Sequence, residues 1–153
     1  MERISKHISY REATKSNTAL RLGLENNPNP YQLSNMGVIA DNIFEPLRKW
    51  VGGPIKINSF FRSEELNKAI GGSAKSQHCD GCALDIDDTF GHKTNAQMFY
   101  YIKDNLDFDQ LIWECGDDSN PAWVHVSYIS HDENRARSLK AFRHNGKTSY
   151  IEI

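Results

Sequence analysis

The sequence predicts an α+β domain in which an antiparallel sheet is flanked by helices, most of them N-terminal. Apolar residues recur at three- and four-residue steps through the first third of the chain, the period of a half-buried helix. Later segments alternate apolar and polar residues and are joined by turn-forming residues. One helical segment interrupts those strands, an order expected of an antiparallel sheet rather than of repeating βαβ units. At 153 residues and 39% hydrophobic, the chain suffices for one core and is short for two. We therefore expect a single domain, with a helical part over 1–53, a central part over 54–130 and a C-terminal hairpin over 131–153.

Ser9 and Glu12 have capping-box spacing, and Ala13, Ala19, Leu20 and Leu22 predict one or two short helices before a break at Asn26, Asn27 and Pro28. From Tyr31 to Val51, residues such as Leu33, Met36, Ile39, Ile43, Leu47 and Trp50 form an amphipathic helix ended by Gly52 and Gly53. Pro46, lacking an N–H, must kink or restart it. Ile55, Ile57 and Ser59 read as a half-exposed strand, and Ser63 caps the short helix EELNKAI. Thr94 and Gln97 cap a further helix carrying Met98, Tyr101 and Ile102. FDQLIWE and AWVHVSY then read as strands joined by a turn over Gly116 to Pro121. Finally, Asn145 and Gly146 between SLKAFRH and KTSYIEI are a type I′ hairpin signal.

A net charge of −2, with basic residues scattered along the chain, argues against nucleic acid or an anionic membrane surface as partner. MERISKHISYREATKSN lacks the apolar core of a secretory signal, and no segment has the length of a membrane span. The expectation is a monomer made in the cytoplasm. Cys79, Cys82 and Cys115 are an odd number without a disulfide framework, so reduced thiols are expected.

The chemistry concentrates in SQHCDGCALDID, from Ser76 to Asp87. His78 on a loop and Asp85 on the strand CALDID can face one point, because the step between them turns at Gly81. His125, alternating with Val124 and Val126 in AWVHVSY, can supply a third ligand from a neighbouring strand. Two imidazoles and a carboxylate leave one tetrahedral position open, as in catalytic zinc; the alternative is an exposed polar pair beside a hydrogen-bonded strand histidine. Cys79 and Cys82 form C-x-x-C, and with His78 and Cys115 they can be drawn as a closed structural site. Strand parity opposes this, because Cys82 should point opposite to Asp85 and be a buried thiol.

Glu114 closes FDQLIWE on the face shared with Phe108, Gln110 and Ile112, and the following hairpin brings it beside His125. It is either a general base or a strand-end carboxylate in water. Arg62 follows Phe60 and Phe61 near the metal loop. Its fork suits a substrate carboxylate, or equally an internal salt bridge to Asp85 or Asp87. Ser76 adds a hydroxyl donor.

Taken together, these residues resemble the M15 zinc peptidases, the D-alanyl-D-alanine carboxypeptidase and phage endolysin group that shares the hedgehog/DD-peptidase fold. The resemblance runs from about Ile8 to Ser130. It includes Glu12, Ser16, Thr18 and Ala19, EPLR at 45–48, INSFFRSEELNKAIGGSAKSQH from Ile57, then GCALDID and WVHVS. It implies zinc on His78, Asp85 and His125, with Arg62 and Ser76 orienting the carboxylate of a substrate peptide. The implied activity is hydrolysis of the peptidoglycan stem peptide, as a carboxypeptidase or an endolysin-type endopeptidase, by a zinc-activated water and a glutamate base. It also implies action on the cell wall after release, from a phage source. Several branches carry that glutamate three residues before the last ligand, where this chain has Ala122. Glu114 must substitute, as a preceding-strand glutamate does in the hedgehog-like branch. Otherwise the chain is an inactive zinc-binding module that recognises peptide or wall without cutting.

Overall fold

The computed structural model of the chain describes residues 2–153. A small N-terminal hairpin, β1 (Arg3–Ser5) and β2 (Ile8–Ser9), leads into α1 (Tyr10–Thr14) and α2 (Asn17–Leu22). Ser9 caps α1 by accepting the Glu12 N–H. Ala13 and Ala19 are buried, whereas Leu20 and Leu22 face solvent, so these helices contribute little to the core.

Asn26, read from sequence as part of a break, is a buried clip instead. Its amide donates to the Thr14 and Phe61 carbonyls and its oxygen accepts the Ser63 N–H. The helix α3 (Pro30–Ile39) is closed by a reciprocal cap between Asn29 and Gln32. The chain then winds as a π-helical turn over Ala40–Phe44 before α4 (Glu45–Val51) begins with Pro46 in its first turn. The Glu45 N–H reaches back to the Ala40 carbonyl, so the rod absorbs the proline without breaking.

The main sheet is built from β3 (Lys56–Ser59), β4 (Ala83–Asp87), β5 (Gln110–Glu114), β6 (Trp123–Ser127), β7 (Arg137–His144) and β8 (Lys147–Glu152). Its order is β3-β4-β6-β5-β7-β8. All pairings are antiparallel, as expected, except β5 with β7, which is parallel. The exception is topological: the far side of β6 is taken by β4, so the chain leaving β6 passes over β5 and adds at its free edge. Asn145 and Gly146 both have positive φ and close the two-residue turn between β7 and β8.

α5 (Glu64–Ala69) and a 3₁₀ turn over Gln77–Asp80 lie between β3 and β4, and α6 (Asn95–Asn105) lies between β4 and β5. One face of the sheet, carrying Leu84, Ile86, Leu111, Trp113, Val124 and Val126, packs with Met36, Ile43, Leu47, Phe99 and Ile102 in the principal core. Phe108 belongs to that core too and not to the face of Glu114, because regular alternation begins only at Gln110. No helix among the described residues is long and apolar enough to cross a membrane.

Gly81 joins the 3₁₀ turn to β4 and meets α3 directly. Its φ is +76°, and a Cβ there would lie 2.6 Å from the Gln32 carbonyl oxygen and 2.8 Å from Met36 Cγ. Gly81→Ala therefore pays for left-handed backbone and displaces α3. The expected loss is at least about 1–2 kcal/mol from conformation alone, read from the urea midpoint. A midpoint equal to that of the parent would show that the loop does not depend on this contact.

Candidate active site

The second face of the sheet is concave and lines a cleft of about 530 Å³ whose floor includes His78, Asp85, Ile112, Glu114 and His125. Each side chain arrives there for a local reason. Asp85 is the third residue of β4, pointing away from its neighbours Leu84 and Ile86, which lie in the core. His125 stands directly opposite it on β6 and faces the same way between Val124 and Val126. His78 comes from the 3₁₀ turn, where Ser76 Oγ accepts the His78 N–H at 3.3 Å.

The His78 ring is almost completely buried and its two nitrogens have different fates. Nδ1 lies 2.8 Å from the Phe60 carbonyl oxygen, which can only accept, so Nδ1 carries the proton. Nε2 therefore presents a lone pair. It has no hydrogen-bond partner, yet it faces Asp85 Oδ2 at 3.3 Å. On the other side, Asp85 Oδ1 is 2.9 Å from His125 Nδ1, and the two imidazole rings meet edge to face with centroids 5.2 Å apart.

One ligand atom from each of His78, Asp85 and His125 falls within 4.8 Å of the other two, the only such trio among the described residues. A buried, orphaned imidazole nitrogen beside a carboxylate and a second imidazole is a donor set that fits zinc. Burial lowers the His78 pKa against the pull of Asp85, favouring the neutral imidazole that a metal requires. Burial pushes the Asp85 carboxyl up, but His78 and His125 outweigh it and hold the group well below the usual carboxylate range.

The cysteines stay outside this trio. All three are free; Cys82 is buried, and burial pushes its thiol up to about 11. A closed cysteine site is thus not formed, and Cys82, just before β4, is a buried free thiol as expected.

Glu114 ends β5 and faces the cleft, opposite Trp123 of β6. Burial raises its carboxyl, Asp85 adds to the rise and His125 opposes it. The Ala122 N–H donates to the Glu114 carbonyl at 2.9 Å, so the position lacking a carboxylate in this chain is bonded to one that has it.

Arg62 makes the internal ion pair at a place where it also lines the cleft. It donates from Nε to Ser59, from Nη1 to Asn67 and from Nη2 to Asp85 at 3.4 Å. Each terminal nitrogen keeps one further N–H for another acceptor. Ser76 Oγ accepts from the His78 backbone, leaving its hydroxyl proton to donate.

Sequence reasoning missed two supports of the site. Asp109 is fully buried at the start of β5, where it accepts from Gln77, the neighbour of His78, and from both Nε and Nη2 of Arg135. Burial raises its carboxyl, but those bonds more than reverse the effect. The outer cleft wall, with Arg137, Leu139, Tyr150 and Glu152, comes from the C-terminal hairpin. The turn of that hairpin was readable in sequence, but its parallel pairing with β5 was not.

Comparison with known proteins agrees with this geometry. A search of curated proteins finds no match. The family model described as Peptidase M15 matches residues 6–127, which include His78, Asp85, Glu114 and His125. On a match covering most of its length, the chain belongs to the peptidase M15 family.

Proposed function

We propose that the protein is a zinc-dependent peptidase that hydrolyses the stem peptide of bacterial peptidoglycan. The observation that carries this reading is the buried Nε2 of His78, which is aimed at Asp85 and His125 on the floor of an open cleft and lacks a hydrogen-bond partner. His78, Asp85 and His125 would hold the ion. Zinc, when bound, supplies Lewis-acid activation of water and of the scissile carbonyl.

The chain's own residues account for the remaining work. Glu114 accepts a proton from the attacking water on its carboxylate and returns it to the departing amine nitrogen. Its half-buried position raises its basicity above that of a carboxylate in water. Arg62, through its free N–H groups, and Ser76, through its hydroxyl, orient the carboxylate on the C-terminal side of the scissile bond. Asn67 and Ser59 hold the guanidinium in place for this task. A substrate carboxylate so placed suits a D-alanyl-D-alanine carboxypeptidase, and a stem peptide bound without it suits an endolysin-type endopeptidase.

The purified protein is expected to carry one zinc per chain, lost in His78→Ala and in His125→Ala by elemental analysis. Full zinc in both variants, with none after Cys79→Ser combined with Cys82→Ser, would replace this site with a cysteine one.

Glu114→Gln preserves size while removing the base. Zinc should remain and hydrolysis of purified peptidoglycan should fall by about 10²- to 10⁴-fold. Fragment release by that variant at the parent rate would remove Glu114 from the mechanism. A parent with zinc bound that releases no fragment would leave a recognition module.

Arg62→Lys exchanges a planar fork for a point charge, so KM should rise by about tenfold with zinc content unchanged. Loss of zinc with normal turnover per loaded site would instead assign Arg62 to the support of Asp85.

A further inference from the structure

The register of the sheet places the site on a ruler. Directly opposed residues on adjacent strands face the same way, and one row runs Ser59, Asp85, His125, Ile112, Leu139, Glu152 from β3 to β8. The neighbouring row carries Trp123, Glu114, Ala141 and Tyr150. Asp85, His125 and Glu114 therefore lie within two transverse rows, with His78 added from the 3₁₀ turn, Arg62 beyond them toward β3 and the C-terminal hairpin on the other side.

That hairpin lies past residue 127, where the family match ends. Its contribution to the cleft is a built surface. Ile112, Leu139 and Ala141 form a small apolar cluster of their own on the cleft face, separate from the principal core. Tyr150 stands beside it, half exposed, and the Arg137–Glu152 ion pair closes the far end. An apolar floor continuous with a catalytic centre and edged by an aromatic hydroxyl has the composition of a ligand groove.

We infer that β7 and β8 form the acyl-side half of the substrate groove. In this arrangement the peptide crosses the strands with its C-terminal carboxylate at Arg62 and its preceding residues over Ile112, Leu139 and Tyr150. The direction follows from the cation: once Arg62 takes the carboxylate, the chain N-terminal to the scissile bond can run only toward β5, β7 and β8. Its length follows from the sheet. Three strand steps from β6 to β8 span about 14 Å, room for about four residues of extended peptide. The substrate is thus an oligopeptide read well beyond its terminal pair, with Tyr150 as a specificity residue. This rests on the peptidase reading above.

The test uses synthetic peptides ending in D-Ala-D-Ala, lengthened from the dipeptide to the stem pentapeptide. For the zinc-loaded protein, kcat/KM should climb about tenfold or more across the series. Tyr150→Ala should erase most of that climb through KM on the longer peptides with zinc content unchanged, and Tyr150→Phe should lose less. Ile151→Ala, on the opposite face of β8, is the control and should behave as the parent. Binding of the same peptides to zinc-loaded Glu114→Gln, read from tryptophan fluorescence with Trp123 in the cleft, gives a readout independent of turnover. Turnover of peptidoglycan with no length dependence, or with a length dependence that Tyr150→Ala leaves intact, overturns the inference and spares the peptidase reading. Length-dependent binding that Tyr150→Ala weakens, without turnover by the parent, supports the groove and overturns the peptidase reading. Absence of both binding and turnover overturns both.

Discussion

The hydrogen bond from His78 Nδ1 to the Phe60 carbonyl is the constraint on which the rest of the site depends. It assigns the proton to one ring nitrogen and thereby leaves the other with a lone pair able to ligate, the role a carbonyl or carboxylate commonly plays behind a metal-binding histidine. The bond is only as good as the position of Phe60, and that position is heavily determined. The flanking Phe61 N–H donates to Ala13, the Phe61 carbonyl accepts from buried Asn26, and the Arg62 N–H returns to the carbonyl of His78 itself. The histidine is gripped from two sides by one short segment. On the far side of the loop, the side chains of Gln32 and Asn35 hold the Cys79 and Asp80 carbonyls, and Gly81 lets α3 come close enough to do so. An N-terminal helical region with no cleft residue of its own thus sets the aim of Nε2.

Collecting two imidazoles and a carboxylate on the face of a sheet costs stability, since buried polar groups lose water that neighbours must replace. The fold meets this cost on the opposite face. Leu84 and Ile86 flank Asp85, and Val124 and Val126 flank His125, so both candidate ligands on the strands are held by neighbours packed in the principal core. Packing of this density resists small displacements, which is what ligand geometry requires. The same strands therefore supply both the core and the centre, and period-two alternation separates the two tasks.

That alternation is why so much was legible in the sequence. His125 between two valines, Asp85 between Leu84 and Ile86, and Glu114 two residues beyond Ile112 declare their faces by parity alone, and the caps at Ser9, Ser63 and Thr94 declare helix starts. The turn at Asn145 and Gly146 was equally plain. What was not legible depends on contacts distant in sequence. The parallel pairing of β7 with β5 follows from which edge β4 leaves free, information no local pattern carries. Asn26 looked like a helix breaker because its three bonds reach Thr14, Phe61 and Ser63. Phe108 was assigned to the wrong face because alternation was extended past the point where the strand begins. Arg62 presented two roles of equal weight, and the structure gives it internal partners while leaving it on the cleft wall.

The proposed base, Glu114, lies close in the backbone to the position three residues before His125. A glutamate three residues before His125 would project from the hairpin near its turn. Glu114 projects from the end of β5, one strand away, and its carbonyl is bonded to the backbone of residue 122. The two positions bracket the same edge of the cleft, so transferring the carboxylate from one to the other leaves the sheet and its ligands undisturbed. The transfer has a physical consequence. Residue 122 is exposed, whereas Glu114 lies half-buried between Trp123 and Ala141 on a strand paired on both sides. A carboxylate held there loses conformational freedom and hydration together, and both losses favour a fixed, more basic group over one swinging in water.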